Sequence, residues 1–357
     1  MLWLLFGLLF LVIVACCFGC CCEEGNYRSY LDAGVEIQLM RIVFALSTFG
    51  LLLLSLTAPN ANAWGCKGHQ TVALLAEKHL TPEAKKMVDA LLSGNPIDPK
   101  LKRYCGDSVR DAMADASTWP DDVRNERKNG PWHYIDIPLG AERGSVEQYC
   151  GAEGCVTKAI TENAAIVQDQ NADPAKRADA LRYVIHFVGD LHQPLHGATN
   201  NDQGGNCVPV NYLRRQAREN GNSFSPNLHS LWDTAIVERD MEGADPAEFA
   251  ETLDALFTRK IADWQKAGIH VDDWIWESHA YAVSTAYGAL MPKIPVAASV
   301  TVHSCADDNN VGERLLRLHV AAGAAYQELA SPVIEERIAQ AGIRLAMILN
   351  EAAKPMP

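Results

Sequence analysis

The stretch from Asp173 to His196, DPAKRADALRYVIHFVGDLHQPLH, decides how this chain is read. Asp173 followed by Pro174 is a helix start: a side-chain acceptor for unpaired amides, then a residue whose fixed φ suits the first turn. Leu181, Val184, Ile185 and Val188 recur at helical spacing, which predicts a helix through Leu191. His186 and Asp190 lie four residues apart on that helix, so both side chains face one way and can bind the same metal ion. Pro194 stops the helix and turns the chain, which lets His196 approach from another direction.

Working outward, Asn227 to Asp233 (NLHSLWD) repeats the pairing with His229 and Asp233. One H-x-x-x-D pair can arise from a core histidine; two pairs with His196 form a set. Upstream, WPDDVR (119–124) and WHYID (132–136) offer Asp121, Asp122 and His133. Alone, these read equally as a solvated turn and a hydrogen-bonded core histidine. The run Trp64-Gly65-Cys66-Lys67-Gly68-His69 follows Ala61-Asn62-Ala63, a small-residue signal-peptidase site. Cleavage after Ala63 would give Trp64 a free amine, so that this amine, the Trp64 carbonyl and the His69 ring could converge on one metal.

Residues 1–39 are an apolar segment with five cysteines, read as an upstream mis-start or an anchor, and 40–63, with an apolar run from Ile42 to Leu56, as the signal peptide. The mature chain is then 64–357, a secreted or periplasmic protein with no stable membrane association unless 1–39 is retained. The full chain carries a net charge of −13; residues 1–63 hold four acids and two bases, which leaves −11 for the rest. That acidity argues against a nonspecific nucleic-acid binder, which tracks phosphates with a basic face. It leaves room for an enzyme whose positive charge comes from metal ions. Six cysteines remain after processing (Cys66, Cys105, Cys150, Cys155, Cys207, Cys305), and only Cys150 with Cys155 is paired by spacing.

The rest of the chain reads as helices: from Pro82 to just before Gly94 with Thr81 as cap, then near 106–117, 156–170, 227–238, 246–267, 273–289, 309–328 and 331–350. The segment Gly204 to Asn222 reads as loop with a short hairpin around Val208 to Leu213. No linker or repeat divides the chain. The expected fold class is all-α, a single mostly helical domain stapled by disulfides.

With these motifs assembled, the chain resembles the zinc-dependent S-one/P-one nuclease family of secreted single-strand nucleases, from Trp64 through Asp233 by motif and onward through WESH (276–279) and AGIRLA (341–346). The resemblance implies three Zn2+: one held by Asp121, His133, His186 and Asp190; a close partner held by the Trp64 amine and carbonyl, His69 and the bridging Asp190; a third held by His196, His229 and Asp233. Zinc pairs about 3.5–4 Å apart activate a shared water for attack on phosphorus. Three zincs would also set a local positive excess against the carboxylates of Asp121, Asp190 and Asp233. Arg124 resembles the family's basic residue near the scissile phosphate, and Tyr134 with Asp136 resembles its base pocket, where stacking is worth about 1–3 kcal/mol per base and requires an unstacked strand. The loop closed by Cys150 and Cys155 lacks the aromatic of the fungal pattern, which argues against a second base subsite, for which Phe224 would be the candidate.

The implied activity is cleavage of single-stranded DNA or RNA to 5′-phosphorylated products, with nucleotides as further substrates of a 3′-nucleotidase and no stable protein partner. One alternative is a zinc phospholipase C, in which the last helix pair resembles H-x-x-x-E; here it ends in Asp233. The other is a noncatalytic zinc-binding protein, against which stands a donor set of His, Asp and backbone where structural sites are usually thiolate-rich.

Overall fold

Asp173 does what a helix cap should: its Oδ1 accepts from the Ala175 and Lys176 amides at 2.9 and 3.1 Å, with Pro174 in the first turn. The helix it opens runs to His192, and every residue from Ala180 to Ala198 is buried. A helix that is buried all round belongs at the centre of a domain, and the rest of the fold is arranged about it. The computed structural model describes residues 64–106, 111–221, 223–290, 305 and 320–354. The expected leader segments 1–39 and 40–63 lie outside the described residues, which all fall within one unit, Asn60–Pro357.

The longer helices are α1 (Cys66–Lys78), α2 (Pro82–Gly94), α3 (Val156–Gln168), α4 (Pro174–His192), α5 (Pro246–Ala267), α6 (Val271–Tyr281) and α7 (Ala324–Ala352). Helix α3 lies along α4, α7 packs on α1 and α4, and α5 closes over α1 and α7. The core formed by Leu75, Val184, Ile185, Val188, Trp274, Ile338 and Leu345 is continuous across these helices. Each such side chain contributes about 1.5–3 kcal/mol through burial. The all-α expectation stands, since among the described residues β strands are confined to two short pairs.

Several boundaries differ from the expectation. The stretch expected as one helix over 227–238 is three pieces, Leu228–Ser230, a π-helical turn Leu231–Ala235 and Ile236–Asp240. The expected 331–350 helix starts earlier, because α7 runs through Pro332. A proline removes one helical donor, here the partner of the Glu328 carbonyl; Pro332 and Glu328 are both exposed, so water can take its place. The expected hairpin at 208–213 is absent: Asn211–Tyr212 (β1) pairs in parallel with Ala321–Ala322 (β4), and the hairpin is Arg218–Asn220 (β2) with Ser223–Ser225 (β3). A helix over 309–328 is excluded at its described end, where 321–322 is strand.

Disulfides join Cys66 to Cys105, Cys150 to Cys155 as expected, and Cys207 to Cys305. Phe224 is 6% exposed and packs with Cys207 and Cys305, so it is not available as a base-stacking surface. Among the described residues no helix is long and apolar enough to cross a membrane.

Candidate metal centre

Helix α4 brings His186 and Asp190 to the middle of the domain, both 0% exposed. The His186 Nδ1–H donates to the Ser117 carbonyl at 2.6 Å, and since a carbonyl can only accept, the ring is fixed with its Nε2 turned toward the carboxylates. That Nε2 lies 3.2 Å from Asp190 Oδ2, 3.8 Å from Asp121 Oδ2 and 3.0 Å from His133 Nδ1. His133 Nδ1 in turn is 2.9 Å from Asp190 Oδ2.

His69 enters from α1. Its ring stacks on His186, with centroids 4.0 Å apart, and its Nε2 is 3.3 Å from Asp190 Oδ1. Gly189 makes this approach possible: a Cβ there would lie 2.8 Å from His69 Nδ1. Glycine inside a helix costs about 1 kcal/mol against alanine, so this position trades helix propensity for ring contact. Trp64 is wholly buried against the start of α1, and the Gly65 amide donates to the Asp233 carbonyl at 2.5 Å.

A second convergence lies beside the first. The His196 Nδ1–H donates to the His133 carbonyl and the His229 Nδ1–H to the Gly204 carbonyl, both at 2.7 Å. Gly204 has φ +59°, and a Cβ there would press on the Leu195 carbonyl at 2.7 Å, so glycine is required. Both rings are thereby left with bare Nε2 atoms, which face each other at 3.2 Å. Asp233 Oδ2 is 3.3 Å from His229 Nε2. Two opposed lone pairs repel unless a cation lies among them.

The donor atoms thus fall into three groups, each within 4.8 Å: His69, Asp121 and His186; His133, His186 and Asp190; His196, His229 and Asp233. Among the described residues, seven buried polar atoms of this set make no well-formed hydrogen bond, even where imidazole nitrogens stand 2.9–3.3 Å from the Asp190 oxygens: both His69 nitrogens, His133 Nε2, Asp121 Oδ1, both Asp190 oxygens and Asp233 Oδ2. Buried orphans of this kind call for an explanation, and an ion is one.

The electrostatics agree. Burial drives His69 down to about 4, with the His186 charge adding to it, and burial holds His133 and His229 near 3. Burial would lower His186 too, but the Asp190 and Asp121 carboxylates outweigh it and raise the group to about 9. Against the cost of burial, the His186 charge and bonds from His133, His186 and His69 hold Asp190 well below the usual carboxylate range. Burial lifts Asp233 well above it, and Asp121 to about 6.

Of the neighbouring acidic pair, only Asp121 reaches the cluster. Asp122 turns away, taking Arg103 Nε at 2.7 Å and the Tyr104 amide at 2.6 Å. Arg124 is half-buried, and after burial its charge acts on Asp121, His133, His196 and His229 alike. Residues 134–137 alternate outward and inward: Tyr134 and Asp136 are exposed, Ile135 and Ile137 buried. The Tyr134 carbonyl accepts from Val156 at 3.1 Å, which places the Cys150–Cys155 loop beside it. Although Asp136 reaches solvent, desolvation of its carboxylate by the surrounding chain and then the Asp202 charge raise it to about 6.

The family model described as S1/P1 Nuclease matches residues 64–354. The chain belongs to the S1/P1 nuclease family. It is similar to Nuclease S1 of Aspergillus oryzae, with 27% identity over 301 residues, 80% of this chain and 91% of that one. Nuclease P1 of Penicillium citrinum is 28% identical over 308 residues, covering 81% of this chain and 97% of its own. Endonuclease 4 of Arabidopsis thaliana is 27% identical over 331 residues, 86% and 95% respectively. In this S1/P1 family member, WESH and AGIRLA buttress the end of α4 and the turn that follows it, next to the candidate centre. Glu277 pairs with Arg337 at 2.7 Å and Arg344 at 2.6 Å, Ser278 Oγ donates to the Leu191 carbonyl at 2.5 Å, and the His279 Nδ1–H donates to the Gly197 carbonyl at 3.0 Å. The resemblance marked WESH and AGIRLA without saying what they support, and the Ser117 and Gly204 carbonyls had no sign in the sequence, because backbone acceptors have no sequence signature.

Proposed function

We propose that this S1/P1 family member is an exported three-zinc phosphodiesterase that cleaves single-stranded DNA and RNA to 5′-phosphorylated products and acts on nucleotides as a 3′-nucleotidase. The observation that carries the reading is the set of buried histidines whose Nδ1–H groups are spent on backbone carbonyls, which turns the Nε2 of His186 toward Asp190, that of His229 toward Asp233 and that of His196 toward His229. Imidazole and carboxylate donors suit zinc, and the carbonyl-bound second nitrogen is the usual outer support of a zinc-ligating histidine.

Asp121, His133, His186 and Asp190 would hold one zinc; the Trp64 amine and carbonyl, His69 and Asp190 a second; His196, His229 and Asp233 a third. When bound, the metal lowers the pKa of water toward neutrality and polarises phosphoryl oxygens. Arg124, half-buried beside both groups, binds a phosphate oxygen as a fixed positive charge. Tyr134 offers an exposed ring for a nucleobase to stack on, and Asp136, ionised at neutral pH, accepts a hydrogen bond from that base's edge. A base inside a duplex cannot reach that ring, so single strands are favoured.

The test is a zinc titration of chelator-treated protein, followed at each step by parallel assays on single-stranded DNA, duplex DNA and phosphatidylcholine. Cleavage of single-stranded DNA should appear with zinc and saturate near three equivalents. Hydrolysis of phosphatidylcholine in its place, or full nuclease activity with one zinc or fewer, would overturn the proposal.

A further inference from the structure

Gln193 follows α4 directly and is 0% exposed. Its backbone already joins two residues of the metal centre: its amide donates to the Asp190 carbonyl at 3.0 Å, and its carbonyl accepts from the His196 amide at 3.0 Å. The side chain adds a third. Gln193 Oε1 accepts from the Leu195 amide, and Gln193 Nε2 donates to Asp233 Oδ1, each at 2.5 Å.

The orientation of this side chain is forced. A peptide N–H can only donate, so the Leu195 amide pins the Gln193 oxygen, and the NH2 group must then face Asp233. A donor there commits Oδ1, leaving Oδ2, which has no hydrogen-bond partner among the described residues and lies 3.3 Å from His229 Nε2, as the free oxygen. The Asp233 main chain is held from the other side by the Gly65 amide.

We propose that Gln193 is the positioning residue of the His196, His229 and Asp233 group. It locks the turn that carries His196 and the Asp233 carboxylate into one unit, so the three donors converge with one Asp233 oxygen left for the ion. The inference rests on reading that group as a zinc site, and it assigns Gln193 no contact with substrate.

Two variants separate the roles of its side chain. Gln193→Glu keeps the acceptor for the Leu195 amide and the shape, but replaces the donor to Asp233 with an oxygen. Gln193→Leu removes both bonds. Zinc-loaded protein is challenged with a chromophoric chelator, and zinc released per chain is followed with time alongside circular dichroism. In both variants one zinc per chain should leave about 10- to 100-fold faster than in the parent, the range found when an outer-shell partner is removed, while the remaining zinc keeps its rate and the helical spectrum is unchanged. Parent-like release in Gln193→Glu would overturn the proposal, as would a uniform acceleration of every zinc, which marks a general packing residue. His229→Ala serves as the separate control. If it leaves zinc content unchanged, the zinc reading of this group fails, whatever Gln193 does.

Discussion

Replacing Asp190 with Asn should abolish most of the nuclease activity while leaving the helix intact. The side chain is fully buried; Oδ2 lies 2.9 Å from His133 Nδ1 and 3.2 Å from His186 Nε2, and Oδ1 lies 3.3 Å from His69 Nε2. At an effective dielectric near 20, a unit charge pair about 3 Å apart is worth about 5 kcal/mol. The rise of His186 from 6.5 to about 9 gives a second measure, about 3 kcal/mol, net of burial and shared with Asp121. The two bracket the cost of losing this charge beside a cation. At 1.36 kcal/mol per tenfold, cleavage of single-stranded DNA should fall roughly 10²- to 10⁴-fold. Zinc per chain should fall with it, because Asp190 is the carboxylate shared by the His69 and His133/His186 groups. Asp233→Asn should instead release one zinc only. Initial rates on single-stranded DNA and metal analysis of the same samples check both. Activity within about threefold of the parent in Asp190→Asn, with zinc content unchanged, would show Asp190 to be a structural helix residue.

Three further outcomes are expected. N-terminal sequencing of active protein should begin at Trp64, since only a free amine can complete the second zinc site; full activity in an uncut chain would remove that ligand from the scheme. Chelator-treated protein should lose stability from pH 6.5 to 9: His186, raised to about 9, stabilises fully below 6.5 and loses about 3 kcal/mol as pH passes through 9, and Asp233, also raised, changes in the same direction. A midpoint of thermal unfolding that is flat or rising over that interval would contradict it. Breaking Cys207–Cys305, with a sequence separation of 98, should cost roughly 4.5 kcal/mol and breaking Cys150–Cys155, with a separation of 5, roughly 2 kcal/mol, because the longer loop constrains the unfolded chain more; denaturant melts of serine variants in the reverse order would refute this.

The sequence by itself determined whatever depends on neighbours along the chain. The Asp173-Pro174 start and the bounds of α5 follow from caps and periodicity, and both were legible because these signals act within one turn. The i, i+4 pairs His186/Asp190 and His229/Asp233 were legible for the same reason, as was the short Cys150–Cys155 loop. Only the tertiary structure decided what depends on distant segments. It turned Asp122 to Arg103 while leaving Asp121 on the cluster, buried Phe224 against Cys207–Cys305, and chose the partner of Cys66 from among five cysteines. It paired β1 with β4 across more than a hundred residues and carried α7 through Pro332, where solvent can satisfy the freed carbonyl. It also fixed which nitrogen of His186, His196 and His229 faces the cluster, since the Ser117, His133 and Gly204 carbonyls that take the ring N–H come from segments that only packing brings to the site.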